Sequence, residues 1–527
     1  MLNKFLNLIH TISYLKFTQI YYQLFYRIRI ISFKQNLKRP NLVPLKFKLF
    51  TENNQSLEYL GNNKFIFLNL DKEFKGEIDW NYKNHGLLWT YNLCYFNFLF
   101  QNNLAVKIKI NLIKSFSNSY NTIRYGKEPY PTSLRIINIL KFISSHNINN
   151  NAIIDLVWKD VCNLKTKIEY HILANHILEN CFALYFASKY FDSLQLKKSS
   201  WEMLKLQLLE QTTIEGAHYE YSPMYHNLLL SRLLDCVQLA VLTNSDSEVR
   251  FLSKIASKMF LWSKNIVWKN SNFPQINDSL NLNTIKNDFL LKYLNFLNVK
   301  GINENDLLVS SYLKFFSNDN YEIIFKIHSF SPYYQPGHSH ADNLSVLLCV
   351  QNHEILVDPG YSTYLNNKKR ILQRSTHYHN TVSIDNINSS NVWSSFRVGK
   401  RYKLVKSNYD TDISSAKIFY ANRNISHLRT LKYSNNKILV YDEISIDSKS
   451  SLNWHFHPDC KVTELKNNTF LIERNNVILE MSFSGKIFDI KIVPYQYCLD
   501  YNKEKLSIKL EIKFKFKIQT SIFIHGV

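Results

Sequence analysis

From Leu506 to Ile518 apolar and charged side chains alternate without a break, and no other stretch restricts the fold so tightly. Successive side chains of a strand point to opposite faces, so this pattern describes a long strand with one buried and one wet face. Shorter strand-like segments precede it at 346–350, 355–357, 381–384 and 438–441, separated by Asn- and Ser-rich turns. The first half of the chain has a different period. Leu228 to Leu230, Leu233, Leu234, Val237 and Leu239 to Val241 fall at three- and four-residue spacing. Ile172, Leu173, Ile177, Cys181, Leu184, Tyr185 and Ala187 do the same, and short polar connections at 146–150 and 243–246 separate such stretches. The change of period predicts an array of antiparallel helix pairs over about 85–300 and stacked antiparallel sheets after about 305. A length of 527 residues also calls for two large domains rather than one core.

Composition narrows the function less. A net charge of +22 suits a polyanionic partner, whether nucleic acid, anionic lipid or acidic polysaccharide. The charges are spread along both halves with no basic run of five or six residues, which argues against a nucleic-acid arm. The 33 Tyr and 35 Phe would suit a cleft for sugar rings, but richness in Asn, Ile and Lys points to AT-rich coding as a second cause. Seven scattered cysteines without a Cys-x-x-Cys pair predict free thiols rather than a disulfide framework. The first 35 residues are basic and aromatic, and Asn7, His10, Thr11 and Ser13 interrupt what would be a signal-peptide core. A helix capping the first domain is expected there, with an amphipathic, membrane-touching segment as the alternative. No apolar run reaches 18 residues, so no membrane span is expected.

The chemistry concentrates in Gly337-His338-Ser339-His340-Ala341-Asp342-Asn343, in Asp358, which follows His340 by 18 residues, and in His377-Tyr378-His379-Asn380. Imidazole nitrogen and carboxylate oxygen together suit a borderline-soft divalent cation such as zinc. Upstream lie Trp89-Thr90-Tyr91-Asn92, Pro129-Tyr130-Pro131-Thr132-Ser133-Leu134-Arg135, Asn175-His176 and the block Glu215 to His226 containing Tyr219-Glu220-Tyr221-Ser222-Pro223. In this order, and ending at Ser394 to Gly399, the motifs resemble the heparinase II/III-like polysaccharide lyases. The branch they resemble most accompanies cell-surface polysaccharide synthesis genes.

The resemblance implies an α+β multidomain chain. An N-terminal extension over 1–60 would pack on an (α/α) toroid over 61–304, followed by an antiparallel β-sandwich domain over 305–527. It also implies β-elimination on a uronic-acid-containing acidic polysaccharide. Asn175 and His338 would neutralise the substrate carboxylate and His176 would be the base. Tyr225 would be the acid, with Tyr219 as the alternative tyrosine and His218 able to replace either histidine. Arg135 and Trp89 would line the sugar cleft. His340, Asp358 and His379 would hold a structural Zn2+. The family's usual setting is the periplasm or cell envelope, while the interrupted N-terminal segment leaves the cytoplasm as the alternative. Two rival readings are a non-catalytic glycan-binding or polysaccharide-biosynthesis accessory protein of the same fold, and a metal-dependent hydrolase. One departure is that many relatives carry Asp before a Gly-Gly pair in this block, whereas here Glu215 stands in the Asp position and Ala217 replaces the second glycine.

Overall fold

Apolar stripes at helical spacing need partners on both sides, and the first half of the chain supplies them by stacking helix on helix. The structure, a computed structural model, describes residues 2–28, 38–50, 57–299, 313–327, 330–385, 387–410, 412–421 and 424–526. Helices α1 (Leu2–Ile12) and α2 (Phe17–Ile28) come first, and a three-stranded antiparallel sheet spans residues 59–73. Then follow α3 (Leu87–Tyr95), α4 (Val106–Ser119), α5 (Pro129–Ser145), α6 (Asn151–Thr166), α7 (Ala174–Tyr190), α8 (Leu194–Gln211), α9 (Pro223–Leu242), α10 (Asp246–Ile266) and α11 (Asn287–Phe296).

Local signals set several of the starts. Proline opens α5 and α9, where its missing N–H costs nothing, and the side chains of Asn150 and Ser222 cap α6 and α9. Nearly all of α7 is buried, including Glu179 and Asn180, because α5, α8 and α9 all pack on it. Phe142, Ile177, Leu184, Leu233 and Val237 belong to the common core. The expected boundary at 60/61 runs through the hairpin that joins Tyr59–Gly61 to Lys64–Phe67. The boundary at 304/305 lies outside the described residues.

The second half is sheet. Strands Leu313–Ser317, Tyr321–Lys326, Val346–Val350 and His353–Leu356 form one antiparallel sheet in chain order. A ten-stranded sheet is built around the long hairpin of Val477–Asp500 and Lys503–Ile524. Alternation holds from Leu510 to Phe514, with Leu510, Ile512 and Phe514 buried. It then breaks at Phe516, which is exposed and has φ 59°. The register shifts between Gly485 and Lys486 opposite, so the extra residues of a bulge turn Phe516 outward. Gly485 is required there, because a Cβ would lie 2.6 Å from the Lys517 carbonyl oxygen.

The N-terminal helices lie across both domains rather than on the first alone. Thr11 bonds the Val398 carbonyl and receives the Trp393 indole N–H, while Gln19 and Tyr26 donate to the carbonyls of Ile172 and Ile168. All seven cysteines are free. Among the described residues no helix is long and apolar enough to cross a membrane.

Candidate active site

Asn175 and His176 stand in the first turn of α7. Leu173, just before it, and Ala174, its first residue, have φ 64° and 55°, values uncommon for residues with a Cβ. Tyr225 stands in the first turn of α9, behind the Ser222 cap. His338 comes from a loop of the β domain. These parts converge: Asn175 Nδ2 lies 3.3 Å from His338 Nε2, and the Tyr225 and His338 ring centroids are 4.2 Å apart.

One carboxylate holds the convergence together. Asp278, from the chain between α10 and α11, accepts from His338 Nδ1 at 2.8 Å and from His340 Nε2 at 2.8 Å. It also accepts both arms of the Arg370 guanidinium at 2.6 Å. Burial alone would raise the carboxyl, but Arg370 and the two histidines hold it well below the usual carboxylate range. A carboxylate cannot donate, so His338 carries its proton on Nδ1, and Nε2 accepts from the Asn175 amide. Asn175 is oriented in turn by Glu220, which accepts from Nδ2 at 3.1 Å. Burial raises Glu220 above the usual carboxylate value.

His176 has the geometry of an oriented base. Its Nδ1 donates to Glu169 at 3.0 Å, and Glu169 also accepts from Asn180 Nδ2 at 3.0 Å. Nε2 is therefore the atom with a lone pair. Burial pulls the imidazole down, but Glu169, with help from Glu220 and Glu179, outweighs it and raises His176 above its ordinary value of 6.5. Tyr225 is a phenol that stays protonated, since burial holds it well above the usual range. Its hydroxyl begins a chain of phenols: Tyr225 to Tyr364 at 3.0 Å, Tyr364 to Tyr361 at 3.0 Å, and Tyr361 to Tyr501 at 2.7 Å. Tyr219 faces elsewhere, toward Tyr334 at 2.7 Å. His218 is buried, bonded to Gln211 at 3.0 Å, and kept neutral by burial and by the neighbouring histidines His226 and His338.

Behind the His338 loop lies a cluster that fits a metal ion. His340, Asp342 and His379 each offer an atom within 4.8 Å of the others. His340 Nδ1 and His379 Nε2 are buried without a hydrogen-bond partner, as open ligand atoms would be. Burial pushes His340 down to about 3, so the imidazole is neutral. The expected carboxylate is corrected here. Asp358 is a hydrogen-bond partner of His379, accepting from Nδ1 at 2.8 Å, and Asp342 takes its place in the cluster. Such a carboxylate fixes the tautomer of a ligating histidine. Asp342 also pairs with the buried Lys326 ammonium.

Arg135 and Trp89 are corrected too. Arg135 is fully buried, and its donors go to Asp160 at 2.7 and 2.9 Å, to the carbonyls of Gly126 and Cys94, and to Thr132. No N–H remains for a sugar. Trp89 is equally buried, donates to the Leu70 carbonyl at 2.9 Å and is enclosed by Phe67, Tyr82 and His85. Side chains that the motifs did not single out do the positioning: Asp278, Glu169, Arg370 and Tyr364. Glu220 and Asp342 lay inside the motifs, one position from Tyr219 and two positions from His340.

Comparison with known proteins agrees with this architecture. Residues 132–302 match the family model described as the heparinase II/III N-terminus, and residues 303–523 match the heparinase II/III-like C-terminal model. The structure is similar to a crystal structure of heparinase III, with TM-score 0.68 and 16% identity, over 86% of this chain and 80% of that one. It is also similar to a heparan sulfate lyase from Pedobacter heparinus, with TM-score 0.58 and 14% identity, over 88% of this chain and 81% of that one. At such identities the likeness speaks for the fold. No curated protein matched the sequence.

Proposed function

Since this chain belongs to the heparinase II/III-like family, we propose that it is a polysaccharide lyase acting on a uronic-acid-containing polyanion by β-elimination. The observation that carries the reading is the meeting of Asn175, Tyr225 and His338 from two domains, with a protonated phenol on Tyr225 and with His176, next to Asn175 on α7, holding an oriented lone pair.

The reaction removes the proton at C5, α to the uronate carboxylate, and expels the oxygen at C4. His176 Nε2 takes the C5 proton, and the C5–H electron pair becomes the C4–C5 double bond. The C4–O bond then breaks, and its oxygen takes the Tyr225 proton. Negative charge grows on the substrate carboxylate in the transition state, where fixed donors count most. The Asn175 amide becomes one such donor when the N–H it gives to His338 Nε2 turns to the substrate. His338 becomes a second if it takes a proton on Nε2, with Asp278 behind Nδ1 as counter-charge. Tyr364, beside the Tyr225 oxygen, would turn its O–H from Tyr361 to the phenolate left behind. A metal on His340, Asp342 and His379 would serve as a structural tie that fixes the loop carrying His338.

The product's double bond is conjugated to its carboxylate and absorbs in the ultraviolet, whereas a hydrolase product does not. The purified protein should generate that absorbance on at least one member of a panel of uronate polymers. Binding without turnover would favour the accessory-protein reading, and new reducing ends without absorbance would favour the hydrolase.

A further inference from the structure

A surface helix of a globular protein normally turns its apolar stripe inward and its polar face to water. The two N-terminal helices do the reverse. On α1 the inward contacts are polar, with Asn7 bonded to Asn391 at 3.0 Å and Thr11 to Trp393 at 3.1 Å. Its apolar residues Phe5, Ile9 and Ile12, at spacings of four and three, are exposed. On α2 the anchors are the buried Gln19, bonded to the Ile172 carbonyl at 3.1 Å, and Tyr26, bonded to that of Ile168 at 2.7 Å. Phe17, Tyr21, Leu24 and Ile28, at spacings of four, three and four, are exposed, Phe17 by 80% and Ile28 by 77%. The anchoring bonds reach both domains, so they hold this apolar face outward in one fixed orientation. Exposed apolar stripes of this kind, held outward on two neighbouring helices of the chain, mark a place that something covers.

Charge selects among the occupants. The sequence before Glu52 has no acidic residue, while Lys and Arg occur at 4, 16, 27, 29, 34, 38, 39, 46 and 48. Lys4 and Arg27 are exposed on the helices themselves. A second copy of this chain would bring like charge against like charge. An apolar helical face flanked by cations, with tyrosines beside it, is what an anionic bilayer surface takes up. Nothing in the site chemistry uses these side chains, so the inference stands apart from the proposed function.

We propose that α1 and α2 form a membrane-docking face that seats the protein on anionic lipid. The apolar residues enter the headgroup boundary and the basic residues meet the lipid phosphates, with no segment crossing the bilayer.

The test is co-sedimentation of the full chain with vesicles of phosphatidylcholine alone and with added phosphatidylglycerol. The protein should pellet with the anionic vesicles, less with the neutral ones, and leave the anionic ones as salt rises. A triple variant, Phe5→Ser with Phe17→Ser and Ile28→Ser, should lose binding by on the order of a hundredfold. Its circular dichroism and melting should stay as in the parent, since these side chains make no core contact. A folded parent that ignores anionic vesicles, or a folded triple variant that binds them as well as the parent, overturns the proposal. So does light scattering that shows a dimeric parent and a monomeric variant, because a second copy would then cover the face.

Discussion

Replacing Tyr225 by Phe removes one hydroxyl and leaves the ring beside His338. Turnover should fall by roughly 10²-fold or more, the usual contribution of a positioned proton donor, with substrate binding nearly unchanged. Tyr219→Phe should retain most activity, because that hydroxyl is committed to Tyr334. Steady-state kinetics on both variants decides, and the reverse order of damage would exchange the two tyrosines. Glu169 gives a pH test of His176. The base must be neutral to act, and its value is raised above 6.5, so the acid limb of kcat/KM should lie above 6.5. Glu169→Gln removes the charge that opposes burial, so the imidazole falls and the limb should move to lower pH. A limb that stays put under this change would remove His176 as the base. At this scale the sequence disclosed the groups to which the proposed chemistry is assigned but not those that hold them. Asn175-His176 and His338 sit in recognisable motifs, whereas Glu169 and Asp278 are lone carboxylates with no spacing to mark them. Arg135 is the converse: its residue type suits a sugar cleft, but its partner Asp160 lies 25 positions away and is visible only once α5 packs on α6.

Between elements, that buried pair acts as a joint. Arg135→Ala leaves the Asp160 carboxylate buried with only the Tyr120 hydroxyl at 2.9 Å, and should cost about 3–5 kcal/mol of stability. Thermal or denaturant unfolding measures it, and the loss should show in melting rather than in a raised KM. A metal on His340, Asp342 and His379 would tie two loops of the β domain in the same manner. Metal analysis of protein purified without chelator should find about one divalent ion per chain. His379→Ala should lower both metal content and melting temperature, and a metal-free parent whose stability ignores His379 would exclude the tie. Element identity was legible because period is a local property. The helices around 172–187 and 228–241 and the strands around 346–350 and 506–514 stand where periodicity put them. The break at Phe516 was not legible, because the bulge arises from the register against Gly485 on the facing strand. The choice of Asp342 over Asp358 likewise depends on how two loops meet, which no spacing along one of them determines.

Across the whole molecule, the site exists only where the two halves meet. The helical half brings Asn175, His176, Tyr225 and Asp278, and the sheet half brings His338, His340 and Arg370. Hence the helical half alone, residues 61–304, should be far less stable than the same residues in the full chain. Asp278→Asn should have opposite effects in the two settings. In the full chain it strands Arg370 and should lower the melting temperature; in the fragment it removes an unpaired buried anion and should raise it. Circular dichroism melts of the four proteins test the inversion. The shared carboxylate also imposes an order in time. Asp278 leaves the ribosome 60 to 92 residues before His338, His340 and Arg370 exist. Until then the emerging helical half carries that anion without its partners, and the segment that holds Asp278 waits for the strands that complete it. A chain cut short before Arg370 thus lacks the pair that joins its two halves, which makes it an easily recognised target for removal, and under the proposed mechanism it would be unable to act on polysaccharide.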